Sequence, residues 1–427
     1  MWKSTSSTSM LLLKSTQRMS DIRILYITTH LTGGAALAAL RLHQALLDSG
    51  VDSRVLTLDG KIEDKHIVHY KPLLDLHQPK GLAKITKSML YRLNIGMGRY
   101  WRMHDEARNG HECQYTYPVS PYRVENHPLV KWADIIHLHF CDDFINYPTF
   151  FKKVKKPIVW TLHDIGIGYG GFHYKNDYER LLPYFRQIED EFLTIKKEAI
   201  LNADNIHIVS LSQEMFDFCH RIDYLKNKVN FIISNGVDTT QFKLLDRNDC
   251  RNELCLPTEK KILLFVAEYV QTQSKGLDLL KESIKTLDKD NMLICIVGNY
   301  PKDMPQKDIV NTRYFGKVQD VNTLSKLYSS ADYFVMPSSQ EVCPQAPLEA
   351  MACGTPVVVF PIGAMKDYVL PQYGVVCNDC SSEALKEGIK EALNKSYDSL
   401  QLRKYVTDNF SPSKIAQMYI NIYKSIH

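Results

Sequence analysis

Two glutamates, Glu341 and Glu349, stand eight positions apart in the run Glu341-Val-Cys-Pro-Gln-Ala-Pro-Leu-Glu349, which continues as Ala350-Met-Ala-Cys-Gly-Thr-Pro-Val-Val-Val359. Pro344 and Pro347 suit a loop and a first helical turn. Residues 346–353 read as a short helix, Gly354 as its stop, and Val357 to Val359 as a buried strand. One carboxylate therefore precedes the helix and the other lies within it. A helix N-terminus offers unpaired N–H groups and the positive end of a dipole, so a phosphate can lie between two acids that hydrogen-bond sugar hydroxyls. That arrangement fits a nucleotide-sugar.

The elements that must position these acids alternate along the chain. Residues 21–28 read as a first strand, Thr32-Gly-Gly-Ala-Ala36 as a glycine turn, residues 37–47 as a helix and 54–58 as a second strand. Further strands follow at 135–139, 158–162, 206–209 and 229–233, so the alternation predicts a parallel sheet with helices on both faces. A second series begins after Asn235-Gly-Val-Asp238, with strands at 262–266, 292–297, 333–335 and 357–359 and helices near 276–286, 322–330, 346–353, 382–393 and 397–408. Residues 412–426 place Ile415, Met418, Tyr419, Ile422 and Tyr423 on one helical face. The stretch from about 71 to 127 fits no sheet, and within it residues 80–102 are basic and aromatic, with an amphipathic helix at 81–94. Such a helix suits either an anionic membrane surface or a solvated cover over a cleft.

The Glu341–Glu349 block, preceded by Ala331-Asp-Tyr-Phe-Val-Met-Pro-Ser338, resembles the E-x7-E donor signature of retaining GT-B glycosyltransferases of family 4 (group 1), of the bacterial polysaccharide type. The resemblance covers most of the chain. It implies an α/β fold of two Rossmann-like doubly wound domains facing a cleft, with a C-terminal helix crossing back to the first. The domain reading is a leader or upstream start at 1–18, an acceptor domain at 19–234 joined by the helix 411–427, and a donor domain at 235–410. By the same resemblance Lys275, in Ser274-Lys275-Gly276, binds the pyrophosphate, Glu349 the ribose and Glu341 the transferred sugar. Backbone N–H groups around Gln345 and Ala346 meet the diphosphate. This chain has Glu268 and Tyr269 where the family commonly carries an arginine upstream of that lysine.

In the first domain Gly33 and Gly34 let backbone approach the diphosphate or the acceptor, and they are not part of a G-x-G-x-x-G dinucleotide fingerprint. Trp160-Thr-Leu-His-Asp164 closes a strand and Gly168-Tyr-Gly-Gly-Phe-His-Tyr174 follows, resembling the strand-end His-Asp and the glycine loop of one family branch. His163 would then touch the donor sugar or diphosphate and count with Glu341 and Lys275 as catalytic. Asp164, Gly171 and His173 would lie on the acceptor side. His137 and His139 share one strand face and could bind metal, though packing near the cleft accounts for both.

With 427 residues the chain is long enough for two domains, and its net charge of +4 does not argue for nucleic acid. No apolar run approaches the ~20 residues that span a bilayer. Ten scattered cysteines, with Cys377-Asn-Asp-Cys380 as the one C-x-x-C, fit reduced thiols in a cytoplasm better than a zinc or redox site. Residues 1–18 hold no acid and an apolar run of only four; they are Ser-rich and basic, like a transit peptide, and read best as a disordered leader, with Met19 opening the domain. The function expected is transfer of one sugar from a UDP- or GDP-linked donor to a glycan or lipid-linked acceptor in surface polysaccharide synthesis. It needs no metal or cofactor, and the protein is cytoplasmic or peripheral on the inner membrane face. An inactive GT-B-like scaffold and a sugar-nucleotide epimerase of similar fold are the competing readings. Lys275, Glu341 and Glu349 speak against the first and the glutamate block against the second.

Overall fold

The computed structural model describes residues 22–285, 287, 291–300 and 311–427. The leader read at 1–18, the start at Met19 and the last position of the helix expected at 276–286 lie outside the described residues. Seven strands form the first sheet: β1 (Arg23–Thr28), β2 (Asp52–Thr57), β3 (Ile67–His69), β4 (Ile135–Leu138), β5 (Ile158–Leu162), β6 (Ile206–Ser210) and β7 (Val229–Ile232). Six form the second: β8 (Lys261–Tyr269), β9 (Met292–Asn299), β10 (Thr312–Gly316), β11 (Tyr333–Met336), β12 (Val357–Val359) and β13 (Gly374–Val376).

The first sheet runs β3-β2-β1-β4-β5-β6-β7 and the second β10-β9-β8-β11-β12-β13. All pairings are parallel. Parallel strands covered on both faces need continuous apolar runs, and the buried β4 and β5 are of that kind, save His137 and Thr161. In each sheet the order reverses beside the first strand, between β1 and β4 and between β8 and β11. Connections there leave for opposite faces and open a crevice at the carboxyl ends, the usual place for a ligand in such folds.

The helix Pro412–Ile426 follows the second sheet in sequence and packs on the first. Its Ile415, Ala416, Tyr419, Ile420, Ile422 and Tyr423 are buried in one cluster with Ile22, Ile24, Tyr26 and Val159 and with Leu42 of the helix Gly34–Asp48. The Tyr423 hydroxyl lies 2.7 Å from His137 Nδ1, and the Tyr419 hydroxyl 3.0 Å from Thr161 Oγ1. Two parallel Rossmann-like sheets with this return helix make the α/β architecture expected of the sequence.

Several elements escape the sequence pattern. β3, β10 and β13 are edge strands; β3 and β13 are three residues long, and β3 and β10 are only half-buried along their whole length, so neither of those two carries the continuous apolar run of a central strand. The 27-residue helix Lys175–Leu201, with Pro183 inside it, escapes as well; Leu181, Phe185, Ile188, Phe192 and Ile200 are its buried stripe. The segment outside the sheet holds two helices, Leu82–Leu93 and Met97–Arg108.

Candidate functional site

At the carboxyl end of β8 the chain turns through Gln273–Lys275 into Gly276, whose φ of 75° is left-handed. A Cβ on Gly276 would lie 2.0 Å from the Pro337 carbonyl oxygen, so only glycine allows this loop to approach the one after β11. The two loops are stitched together: Ser339 N donates to Ser274 O at 2.8 Å, and Ser338 Oγ lies 3.0 Å from the same oxygen. Ser338 Oγ is also 2.9 Å from Glu341 Oε1. Because β8 and β11 are neighbours, this stitching sets Lys275 Nζ 2.5 Å from Glu341 Oε1. Asn235 Nδ2 donates to Cys343 O at 3.0 Å, which ties the linker between the sheets to the glutamate loop.

Glu349 sits in the helix Ala346–Ala352, buried, beyond a start that carries Gln345 at its cap. Arg41, on the first-domain helix Gly34–Asp48, donates through Nη2 to Glu349 Oε1 at 3.1 Å. The Tyr328 hydroxyl donates to Oε2 at 3.2 Å. Burial pushes the Glu349 carboxyl above the usual carboxylate range, and Arg41 works against that shift. Arg41 Nη1 and Gln345 Nε2 are buried without a protein partner. Unpaired buried donors are uncommon in folded proteins, and ligand oxygens would satisfy them.

Across the cleft, Gly33 has a φ of 88°, and a Cβ built on Gly33 or Gly34 meets nothing within 4 Å, so this turn borders open space. His163 follows β5, with Nε2 2.9 Å from His139 Nδ1. Burial lowers the pKa of His163 to about 4 and that of His139 well below the ordinary imidazole value. At neutral pH His163 is therefore a hydrogen-bonding group rather than a cation. His139 stacks on Tyr26 at 4.9 Å between ring centres. His137 engages Tyr423 and Thr161 with its two nitrogens, which leaves neither for a metal and makes it a packing residue.

Asp164 accepts from Gly166 N at 2.8 Å and lies 2.8 Å from His173 Nδ1, whose Nε2 is 2.8 Å from Thr116 Oγ1. Burial raises the Asp164 carboxyl, and His173, the Gly166 N–H and Lys196 together reverse this and hold it below its ordinary value. The placement of Gly171 and His173 differs from the acceptor-facing expectation. His173 is fully buried, Gly171 N donates to Glu189 Oε2 at 2.8 Å, and a Gly171 Cβ would lie 2.3 Å from the Tyr115 ring. Both residues shape the loop from within, because its backbone donors need the buried Glu189 as acceptor. Buried Lys196 plays the matching part, donating to Gly166 O at 2.9 Å.

The structure thus brings Lys275, Glu341, Gln345, Ala346 and Glu349 to one edge, and Gly33, Gly34, His163 and Asp164 to the facing one. Sequence reasoning missed Arg41, Tyr328, Tyr174 and the support His139 gives His163. Arg41 and Glu349 are 308 positions apart, and no local pattern announces such a pair. Tyr174 was within reach, directly after His173; burial raises its hydroxyl's pKa, and the carboxylates of Asp164 and Glu341 add to the shift. Cys377 is buried and Cys380 exposed, both free thiols.

Comparison with known proteins places this geometry. Residues 246–409 match the family model Glycosyl transferases group 1. An uncharacterised glycosyltransferase of Methanocaldococcus jannaschii is 26% identical over 371 residues, covering 74% of this chain and 90% of that protein. Among solved structures, sucrose-phosphate synthase from Thermosynechococcus elongatus superposes with a TM-score of 0.62 at 19% identity, over 95% of this chain and 99% of that one. Anabaena Alr3699/HepE in complex with UDP and glucose gives 0.61 at 15% identity, over 95% and 100%. Two parallel Rossmann-like sheets that reverse beside their first strands, with structural likeness over 95% of the chain, give the fold as GT-B, and residues 246–409 are similar in sequence to group 1 glycosyl transferases.

Proposed function

We propose that the protein is a retaining glycosyltransferase that moves a sugar from a UDP- or GDP-linked donor to a glycan or lipid-linked acceptor. The observation that carries this reading is the meeting of Lys275 and Glu341 at the carboxyl edge of β8 and β11, with Glu349 in the helix that follows the glutamate loop. Glu349 holds the ribose, Glu341 the transferred sugar, and Lys275 with backbone N–H groups near Gln345 and Ala346 the diphosphate. In a front-face displacement the bond from the anomeric carbon to the phosphate oxygen breaks as the bond to the acceptor oxygen forms on the same side. The acceptor proton passes to the departing phosphate oxygen. The protein's share is positioning and electrostatics, with no metal at the diphosphate. Incubation with a panel of UDP-, GDP- and ADP-sugars, read by slow donor hydrolysis in EDTA, tests it. Turnover of one donor supports the reading, whereas none with any donor, or turnover only after magnesium or manganese is added, defeats it.

The acceptor side meets an anionic membrane through the helix Leu82–Leu93. Its Leu82, Ile85, Met89 and Leu93 form one exposed apolar face, with exposed Lys80, Lys84 and Arg92 nearby. Among the described residues no helix is long and apolar enough to cross a membrane. Lys87 is turned inward, donating to Leu76 O at 3.3 Å, and takes no part. Each basic residue at such a surface contributes about 1 kcal/mol. Ile85→Ser with Lys84→Gln and Arg92→Gln is expected to release the protein from anionic vesicles and leave donor hydrolysis intact; undiminished vesicle binding would make the helix a solvated cover.

A further inference from the structure

The first sheet carries a second cluster of chemistry-bearing side chains, with none of the glutamates in it. β1 and β2 pair in register with Thr28 opposite Thr57, so His30 and Asp59, each two positions further on, leave the sheet side by side. Thr57 Oγ1 lies 2.9 Å from Asp59 O and 3.2 Å from Thr29 O, and Asp59 N donates to Thr29 O at 2.9 Å. Gly60, at a φ of 139°, passes Leu31 so closely that a Cβ there would lie 2.7 Å from Leu31 Cδ1. These contacts fix the two loops against each other. His77 arrives from the next loop, where its N–H lies 3.0 Å from Asp75 Oδ1 and 3.0 Å from the Tyr122 hydroxyl.

The result is a group of two imidazoles and one carboxylate whose ligand atoms all lie within 4.8 Å of one another, the one such group among the described residues. His30 Nδ1 is 3.4 Å and His77 Nε2 4.0 Å from Asp59 Oδ2. Ligand bonds of about 2.0–2.1 Å in a tetrahedral site put ligand atoms about 3.3 Å apart, so the cluster needs only a modest contraction to close on an ion. The second carboxylate oxygen, Asp59 Oδ1, accepts from Gln78 Nε2 at 3.1 Å, the outer contact that orients a ligating carboxylate. All three side chains are about one third exposed, which leaves an entry path.

We propose that His30, Asp59 and His77 form a binding site for a divalent transition cation of the zinc class. Two nitrogens and one carboxylate oxygen favour zinc, cobalt or nickel over magnesium and calcium, which prefer all-oxygen shells. Three protein ligands leave one position for water or a ligand oxygen. His77 also lines a cavity of about 300 Å³ with Lys87, Tyr91, Trp101 and Asp105, so a bound ion would pin the wall of that cavity to the sheet edge. The site does not rest on the proposed transfer reaction.

The test is calorimetric titration of the untagged, metal-stripped full chain with Zn²⁺, and with Co²⁺ followed by visible absorption. One equivalent is expected to bind with a nitrogen and oxygen spectrum free of thiolate charge transfer, and to raise the melting temperature. Asp59→Asn, which keeps the side-chain shape, and His77→Ala are each expected to weaken binding about 100-fold or more, with circular dichroism confirming the fold. If His77→Ala fails to fold, Asp59→Asn decides. Absence of saturable binding, a thiolate spectrum, or affinity unchanged in Asp59→Asn would overturn the site.

Discussion

The two sheets share one strand order over six strands, the first adding β7 at its edge, yet their carboxyl edges are built for different work. The edge of the second sheet carries fixed charge: Lys275 against Glu341, with Glu349 one helix turn into the next element. The edge of the first presents imidazole and phenol that burial keeps uncharged, His163 at about 4 with His139 beside it and Tyr26 stacked on His139, while the carboxylate of Asp164 is taken up by His173 and Gly166 N. Formal charge suits a diphosphate leaving group, and neutral hydrogen-bonding groups suit a polyol. The same fold is therefore specialised by the residues that follow its strands, which is how one architecture hosts many reactions.

The largest expected effects test that division. Lys275→Ala or Glu341→Gln is expected to lower donor turnover by about 10²–10³, the scale for removing one preorganised electrostatic partner of the transition state. His163→Gln, which keeps a neutral hydrogen-bonding group, is expected to cost about tenfold or less. Steady-state rates for the three variants decide it; a decrease in His163→Gln equal to that in Lys275→Ala would show that both edges work by charge. Next in size, Glu349→Gln is expected to weaken nucleotide binding by about 1.5–3 kcal/mol, as for a hydrogen bond to a charged group. Calorimetry with UDP, GDP and ADP reads this, and unchanged affinity for all three would remove Glu349 from the ribose.

In the loop after β4, neutrality at the half-buried carboxyl of Asp143 is testable by pH. Burial raises Asp143 from the ordinary 3.8 to about 7, with Asp142 adding to the shift. The folded chain then holds a proton that the unfolded chain releases, so this group's contribution to stability is complete below about 3.8 and is lost as pH rises toward 7. Asp143→Asn removes the titration while keeping the oxygen that accepts from Tyr117 N at 2.8 Å, and asparagine tolerates the φ of 62° found there. A gain on the order of 2 kcal/mol at pH 8 is expected, below the full 1.36 kcal/mol per unit because the side chain borders a cavity. Urea denaturation at pH 5 and pH 8 checks it; equal stability change at both pH values would mean that Asp143 is ionised throughout.

The contrast between the edges also explains what the sequence discloses. The charged edge is local: Glu341, Gln345, Ala346 and Glu349 lie in nine residues, with proline and glycine marking loop and helix. The neutral edge is assembled from afar. His163 rests on His139, Asp164 on His173, and the glycine loop on Glu189 of a helix whose apolar stripe is obscured by Pro183. The central strands β4, β11 and β12 are readable by their fully buried apolar runs although they are short, whereas the edge strands β3 and β10 are half-buried throughout and show no such run. Gly171 and His173 sit beside a strand-end histidine in sequence and yet point into the loop, since the loop's own backbone must be satisfied first.

Arg41 is where the division is sharpest, because it belongs to the first domain and acts on an acid of the second. The family resemblance calls for a cation beside the donor, and Glu268 and Tyr269 do not supply one. Arg41 reaches Glu349 from the opposite wall, with 28% and 11% of the two side chains exposed. A half-buried pair of this kind is expected to couple by about 1 kcal/mol, above the level of a fully exposed one. Urea denaturation of Arg41→Gln, Glu349→Gln and the double variant gives that coupling directly, and the same set in nucleotide titrations separates two roles. If Arg41 only holds the domains together, Arg41→Gln leaves UDP or GDP affinity unchanged while lowering stability. If its unpaired Nη1 meets the diphosphate, affinity falls with stability, by about the 1.5–3 kcal/mol of a charged hydrogen bond at most. A coupling indistinguishable from zero, with affinity unchanged, would make the pairing incidental and leave the two edges independent.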